Sequence, residues 1–394
     1  MAITDKDQGV WNVDQVYNKQ NQGSIWPLPS SVGDPLEMWA WGGNHQGSLG
    51  LNQAEGSDVS SPTQIGTDID WKDPRGGPMG AGMGIFQAVK NDGTLWRCGW
   101  NYQGSMGQPY GDSLSSPTQI GADTDWKFCT GRLTAGAIKT DGTFWTWGRN
   151  DWGQLGQNNR TPYASPKQVG TESTWNNVTM EGLCNFGTKT DGTLWAWGVN
   201  EQGSLGLNQA HGAQCSSPTQ LPGTTWEAVS TNQSEAAVAL KTDGTLWSWG
   251  KGEYGRNGNN TSDNFSSPVQ VGTGTDWADA VTWNSRTVAL KTDGELWTWG
   301  RNTAGQLGLN DLTSYSSPKQ IPGTWTSVGM SGAGSMGVKD GKLYVWGGNS
   351  AGSLGLNAPT SDHRSSPTQV GTSTKWKSAS KSYTYSYIAC KEPE

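Results

Sequence analysis

Residues 236–270 read AAVALKTDGTLWSWGKGEYGRNGNNTSDNFSSPVQ, and how this stretch divides decides the fold. Ala237 to Lys241 is a short run of small and branched apolar residues suited to a strand. Asp243-Gly244 is predicted to be a two-residue hairpin turn of type I′, which needs positive φ at both central positions. Leu246 to Trp249 is the returning strand, and period-2 alternation puts Trp247 and Trp249 on one face. Gly250 ends it. A polar loop then leads to Ser267-Pro268, where proline, lacking an N–H, suits an edge strand or the start of one.

The pattern repeats along the chain. Trp-x-Trp-Gly, usually followed by x-Asn-x-x-Gly-x-Leu-Gly, has copies beginning at Trp39, Trp96, Trp145, Trp195, Trp247, Trp297 and Tyr344, in steps of 57, 49, 50, 52, 50 and 47 residues. The hairpin recurs at Asp92-Gly93, Asp141-Gly142, Asp191-Gly192, Asp293-Gly294 and Asp340-Gly341. Turn chemistry accounts for these aspartates without a catalytic role. After each Ser-Pro, a tryptophan (Trp71, Trp126, Trp175, Trp226, Trp277, Trp325 or Trp376) marks a further strand. Units of about four short strands with no convincing helix, repeating near fifty residues, are propeller blades. The first copy, Leu36–Trp41, lacks a preceding strand, whereas Tyr385–Lys391 (YSYIACK) has no partner. Their pairing would close a seven-bladed ring and leave no open edge. The reading is thus all-β: an N-terminal arm over 1–33 and a seven-bladed propeller over 34–394.

Composition agrees. Only 32% of the 394 residues are hydrophobic, but 24 are tryptophan and 57 glycine. Disordered chains are poor in aromatics; here a few large rings supply the apolar area. The net charge of −7, with no basic stripe, argues against a nucleic-acid partner. No apolar run is long enough for membrane insertion, and no secretory leader is visible at the N-terminus. The five cysteines, Cys98, Cys129, Cys184, Cys215 and Cys390, fall in different repeats and read as reduced, mostly buried thiols.

The stretches LKTDGTLWSWG (240–250) and GRNTAGQLGLN (300–310), with the glycine-rich loops, resemble the regulator-of-chromosome-condensation repeat family, whose fold is a seven-bladed propeller. The resemblance spans roughly residues 34–394. Founding members of that family exchange nucleotide on a small nuclear GTPase and dock on chromatin, through special loops that have no match here. The Gly-x-x-His that family repeats often carry is also missing from 130–137, 230–237, 282–289 and 331–338. The similarity implies the fold, and fold does not fix activity.

The N-terminal segment carries Gly9, Trp11, Val16, Tyr17, Gly23, Trp26 and Pro27. It resembles short N-terminal motifs of virion proteins in marine tailed phages, which implies an anchoring arm with Trp11, Val16, Tyr17 and Trp26 as contacts. The competing reading is an arm packed on the propeller.

No catalytic, metal or cofactor motif stands out. His45, His211 and His363 sit singly in different repeats, and nucleophile-elbow and phosphate-loop motifs are missing. Function is therefore sought where copies differ. In the loops after the Trp-Gly strand these are Trp100, Tyr102, Arg149, Trp152 and Tyr254. Before the Ala-Leu strands they are Trp283 and Arg286, with Arg132, Asn185 and Asn284, expected on the opposite rim. Trp, Tyr and Arg dominate binding hot spots. The resulting expectation is a non-enzymatic virion protein, tail- or fibre-associated, that docks on other virion proteins through its arm and presents loops to a host-surface protein or glycan. A soluble regulator or inhibitor in the cytoplasm, or a lectin-like propeller, are the alternatives.

Overall fold

The computed structural model describes residues 35–72, 85–109, 111–180, 182–232, 235–332, 334–380 and 385–394. The arm, with Trp11, Val16, Tyr17 and Trp26, lies outside the described residues. Seven antiparallel sheets form a ring of blades. Blade five, built from the stretch quoted first, contains Trp226–Asn232, Ala236–Lys241, Leu246–Gly250 and Phe265–Gln270 in spatial order. The first of these is innermost, because the first strands of successive blades touch one another around the ring. Blade two shows three strands, Ile85–Val89, Leu95–Gly99 and Leu114–Gln119, and Trp71 bridges to its Lys90.

Closure is as expected. Ser386–Lys391 pairs with Glu37–Gly42 in continuous register, Glu37 opposite Lys391 through Gly42 opposite Ser386. Trp376–Ala379 covers its other side. Blade one is therefore assembled from both ends of the described chain.

The hairpin turns depart from expectation in five of six cases. Only Asp340-Gly341 is a two-residue turn with both φ positive, 52° and 69°, placing Lys339 opposite Lys342. In blades two to six the glycine alone has positive φ. There the loop is one residue longer: Thr242-Asp243-Gly244 is spanned by Lys241 N–H to Thr245 O at 3.1 Å. The reason is local. Asp243 Oδ1 accepts the Thr245 N–H at 3.0 Å and its hydroxyl at 2.6 Å, and Thr245 Oγ1 accepts the Trp247 Nε1–H at 2.8 Å. The same relay recurs from Asp92, Asp141 and Asp191. The bonds from Thr245 hold the Asp243 carboxyl below its ordinary value. Gly244 is required twice over, by its φ and because a Cβ there would meet Thr275 O at 2.1 Å.

Indoles do the packing. Trp226 meets Trp247 and Trp249 edge-on, at 6.0 and 6.2 Å between centroids. Lys241 Nζ lies 4.7 and 4.1 Å from the Trp226 and Trp247 rings, so the lysine ending the second strand stacks between two indoles, a cation–π arrangement. Lys90, Lys139, Lys189 and Lys291 repeat it.

Two further bonds recur between neighbouring blades. Trp249 Nε1 donates to Ser204 O of blade four at 2.9 Å, and Trp41 Nε1 donates to Ser353 O across the closure at 2.9 Å. The asparagine of Gly-Leu-Asn donates its N–H to the first serine of the next blade's Ser-Ser-Pro. Examples are Asn208 to Ser266 O and, across the closure, Asn357 to Ser60 O, both at 2.8 Å. Most of the repeated phrase is consumed in these contacts.

Blade two inverts one packing pair. Elsewhere a tryptophan of the third strand faces a residue of the second, as Trp147 faces Ala135 and Trp249 faces Ala237. Here Cys98 faces Phe86, and both are fully buried. Cys98→Trp alone should overpack this junction at a cost of roughly 1–3 kcal/mol. Adding Phe86→Ala should recover most of that loss in a denaturant titration, because total volume is then restored; equal losses in the single and double variants would refute the exchange.

Candidate binding face

The chain reverses at alternate ends of each blade, so first-to-second and third-to-fourth strand connections share one face. Bonds between the two loop sets confirm this. Arg149 N–H donates to Leu133 O at 2.8 Å, Lys251 N–H to Glu235 O at 2.5 Å and Arg301 N–H to Ser285 O at 2.9 Å. The two groups of variable residues, expected on opposite rims, thus belong to one loop face.

On this face the aromatics diverge from the repeat. Tyr102, Trp152 and Tyr254 are 37%, 39% and 40% exposed. Trp100 is half-buried and lies against Tyr102, with centroids 4.8 Å apart. Gln103 Nε2 reaches Asp151 Oδ1 at 3.4 Å, and Arg149 Nε pairs with Asp151 at 2.6 Å. The loops of blades two and three are thereby joined, with Trp100, Tyr102, Arg149 and Trp152 on them. Tyr254 belongs to a second group, beside Arg301 of blade six at 5.3 Å.

Two expected contacts are placed elsewhere. Trp283 and Arg286 are only 2% and 1% exposed. They are paired at the ends of adjacent strands, joined by Asn284-Ser285 with φ of 40° and 71°. This tight turn directs both side chains inward. Trp283 joins a core with Met330 and Trp346. Arg286 donates to Ser331 O at 2.6 Å and Gly334 O at 2.7 Å, clasping blade seven. Burial lowers its pKa to about 10, so it stays charged at neutral pH.

Arg97 and Arg256 are further clasps that sequence reasoning missed. Arg97 is fully buried; it donates to Ser105 O and, at 3.0 Å, to Arg132 O of blade three. Burial pulls its pKa to about 9, opposed by the nearby Cys129 and Cys98. A signal existed: the other six copies carry Ala, Thr, Ser or Val at this middle position of Trp-x-Trp. Arg256 is also buried. It bonds Glu235 at 2.6 Å, Glu253 at 3.3 Å and the Ser285 hydroxyl of blade six at 2.7 Å. Lys251 completes the network with Glu235 and Glu253, at 3.1 and 2.8 Å.

Glu235 gives this network a pH dependence. Burial pushes its carboxyl up, but bonds from Arg256 and Lys251 outweigh that and leave its pKa below the ordinary value. A lowered folded pKa adds stability above the unfolded value, and the gain is lost as pH falls through the folded one. The advantage of the native chain over Glu235→Gln should therefore be present at pH 7 and shrink below about pH 4. Denaturation midpoints measured across that range check it.

None of the five cysteines is in a disulfide, and four are buried. Among the described residues no three His, Cys, Asp or Glu side chains gather as a metal site requires. No helix among them is long and apolar enough to cross a membrane.

Comparison with known proteins supports the same architecture. The regulator of chromosome condensation (RCC1) repeat model matches residues 141–180, 191–230, 243–282, 293–336 and 340–388, more than half of the chain. Human WBSCR16 superposes with a TM-score of 0.77 at 19% identity, covering 91% of this chain and 100% of that one. Prp20p from Saccharomyces cerevisiae, studied with its binding to Gsp1p and histones, gives 0.77 at 17%, covering 92% of each. The same yeast protein bound to Kap60 gives 0.76 at 17%, covering 92% of this chain and 90% of that one. At these identities the likeness speaks for the fold. No curated protein sequence matches the chain.

Proposed function

The chain belongs to the regulator of chromosome condensation (RCC1) repeat family, and we propose that it acts as a non-enzymatic binding propeller within a phage particle. In this reading residues 1–33 form the anchoring arm that docks on other virion proteins, and 34–394 form the disc. The disc presents Trp100, Tyr102, Arg149, Trp152 and Tyr254 to a host-surface protein. One observation carries the binding role. Repeated residues are spent on turns and blade junctions, whereas Tyr102, Trp152 and Tyr254, three of the aromatics that break the repeat, stay exposed on one face. Partly exposed Trp and Tyr flanked by Arg suit a protein interface. The virion assignment rests on the motif of Gly9, Trp11, Val16, Tyr17, Gly23, Trp26 and Pro27.

Deleting residues 1–33 is expected to abolish incorporation into particles while leaving the disc folded by circular dichroism. A deleted chain that still enters particles would remove the anchoring role. A second reading, a soluble cytoplasmic regulator, is favoured by Prp20p, a like-folded protein that binds Gsp1p and histones. Under that reading the deletion leaves partner capture intact, and alanine at Trp100, Tyr102 and Trp152 together removes it.

A further inference from the structure

Tyr254 and Arg301 form a group of their own on the loop face, where the guanidinium of blade six lies over the ring of blade five at 5.3 Å. Tyr254 has a φ of 61°, in the left-handed region that costs a bulky residue most. Gln46, Gln103, Gln202 and Ala351 hold the same loop position with φ of 56°, 50°, 52° and 55°. Among these left-handed copies Tyr254 alone is aromatic, and its ring is exposed.

Arg301 is the counterpart of Arg149, since both stand in Gly-Arg-Asn loops, at 148–150 and 300–302. Arg149 is neutralised within its own loop by Asp151 at 2.6 Å. The matching residue of blade six is Thr303, whose uncharged hydroxyl accepts from Arg301 Nε at 3.2 Å. Asp311 of the same loop is taken up by Asn302, Thr313 and Tyr315, each at 2.9 Å. Arg286 lies close by, because Arg301 N–H donates to the neighbouring Ser285 O at 2.9 Å. It is buried with two carbonyls as acceptors, and its Nε has none. Burial is the main cause of its lowered pKa, and the charge of Arg301 adds to it. Among the described residues neither arginine pairs with a carboxylate. Glu235 and Glu253 are committed to Arg256 and Lys251. Lys251, Arg256, Arg286 and Arg301 thus stand against two carboxylates, an excess of two positive charges in a chain whose net charge is −7.

We infer that Arg301 and Tyr254 receive a carboxylate side chain from an acidic segment of a protein partner. The two terminal nitrogens of Arg301 make no bond among the described residues and form the fork that grips a carboxylate. The Tyr254 ring holds the plane of that fork. A nucleic-acid strand fits the site less well, because Glu235 and Glu253 border it and repel successive phosphates. The inference rests on the loop face being the partner-binding face and names the chemistry of that partner.

The test uses the full chain and a fluorescent peptide of alternating Glu and Ser, followed by anisotropy. The peptide should bind, more weakly at high salt, and its Gln-for-Glu counterpart should not. Arg301→Gln should weaken binding about tenfold or more. Thr303→Asp, at an exposed position, should do the same, because it gives Arg301 the partner that Arg149 already has. Arg160→Gln removes an exposed cation of blade three that bonds Gln214; it should leave binding unchanged and controls for the loss of one charge. No binding of the Glu peptide, equal binding of the Gln peptide, tighter binding of oligothymidylate, or unchanged affinity in either Arg301→Gln or Thr303→Asp would overturn the inference. The assay needs neither the arm nor a captured partner. Its failure is therefore distinct from that of the deletion of residues 1–33 and of the alanine variants at Trp100, Tyr102 and Trp152.

Discussion

Removing residues 386–394 is expected to abolish cooperative folding. Ser386–Lys391 is the second strand of blade one and carries ladders on both sides, to Glu37–Gly42 and to Trp376–Ala379. Its side chains enter two cores: Ile388 and Cys390 pack with Met38 and Phe86, while Tyr387 and Ala389 pack with Trp41 and Val345. Tyr387 also stacks on Trp41 with centroids 5.6 Å apart. Without this strand, Glu37–Gly42 keeps one partner and exposes an unpaired edge. Losing two ladders and four buried side chains is of the order of the whole net stability of a typical domain, ~5–15 kcal/mol. Denaturant titration followed by tryptophan fluorescence should show no sigmoidal transition for the truncated chain. A peptide of 386–394 added in trans should restore one. An unchanged midpoint after truncation would show that ring closure contributes nothing.

Trp249→Ala has the second largest expected effect, a loss of about 3–5 kcal/mol. The ring is fully buried, touches Trp226 and Phe186, and donates to Ser204 O of the preceding blade. Alanine leaves a cavity at the junction of blades four and five and strips Ser204 O of that donor. Trp152→Ala is the control. Its ring is 39% exposed on the loop face, and surface changes of this kind usually fall within about 0.5 kcal/mol. Comparing the two unfolding midpoints distinguishes scaffold tryptophan from presented tryptophan. Similar losses at both positions would contradict that division.

Much of the molecule was legible because its units repeat. Trp-x-Trp-Gly, the Asp-Gly turns and Ser-Ser-Pro recur at intervals too regular for independent domains, so a local strand reading becomes a global count. The missing second strand before Leu36 and the surplus one at Tyr385–Lys391 showed where the ring shuts, which the register from Glu37–Lys391 to Gly42–Ser386 confirms. A two-residue turn at Asp243-Gly244 requires Thr242 to pair with Thr245, whereas the structure takes Thr242 into a three-residue loop. Its place in the loop depends on the Asp243–Thr245–Trp247 relay, a set of contacts that Asp-Gly alone does not encode.

The loop face shows the opposite case. A residue that breaks a repeat is conspicuous whether it is presented or buried, so Trp152 and Trp283 look alike in the sequence. Only the tight Asn284-Ser285 turn and the neighbouring blade separate them, sending Trp283 and Arg286 into the interior. Likewise Arg97 and Arg256 find their partners 35 and 29 residues away, across a blade boundary.

Strand number, blade count and the site of closure follow from the order of residues alone, because hydrophobic alternation and turn chemistry act between near neighbours and repeat seven times. Which departures from the pattern reach solvent was decided by the assembled ring. Burial is a property of the space between blades, and that space exists only once Ser386–Lys391 has joined Glu37–Gly42.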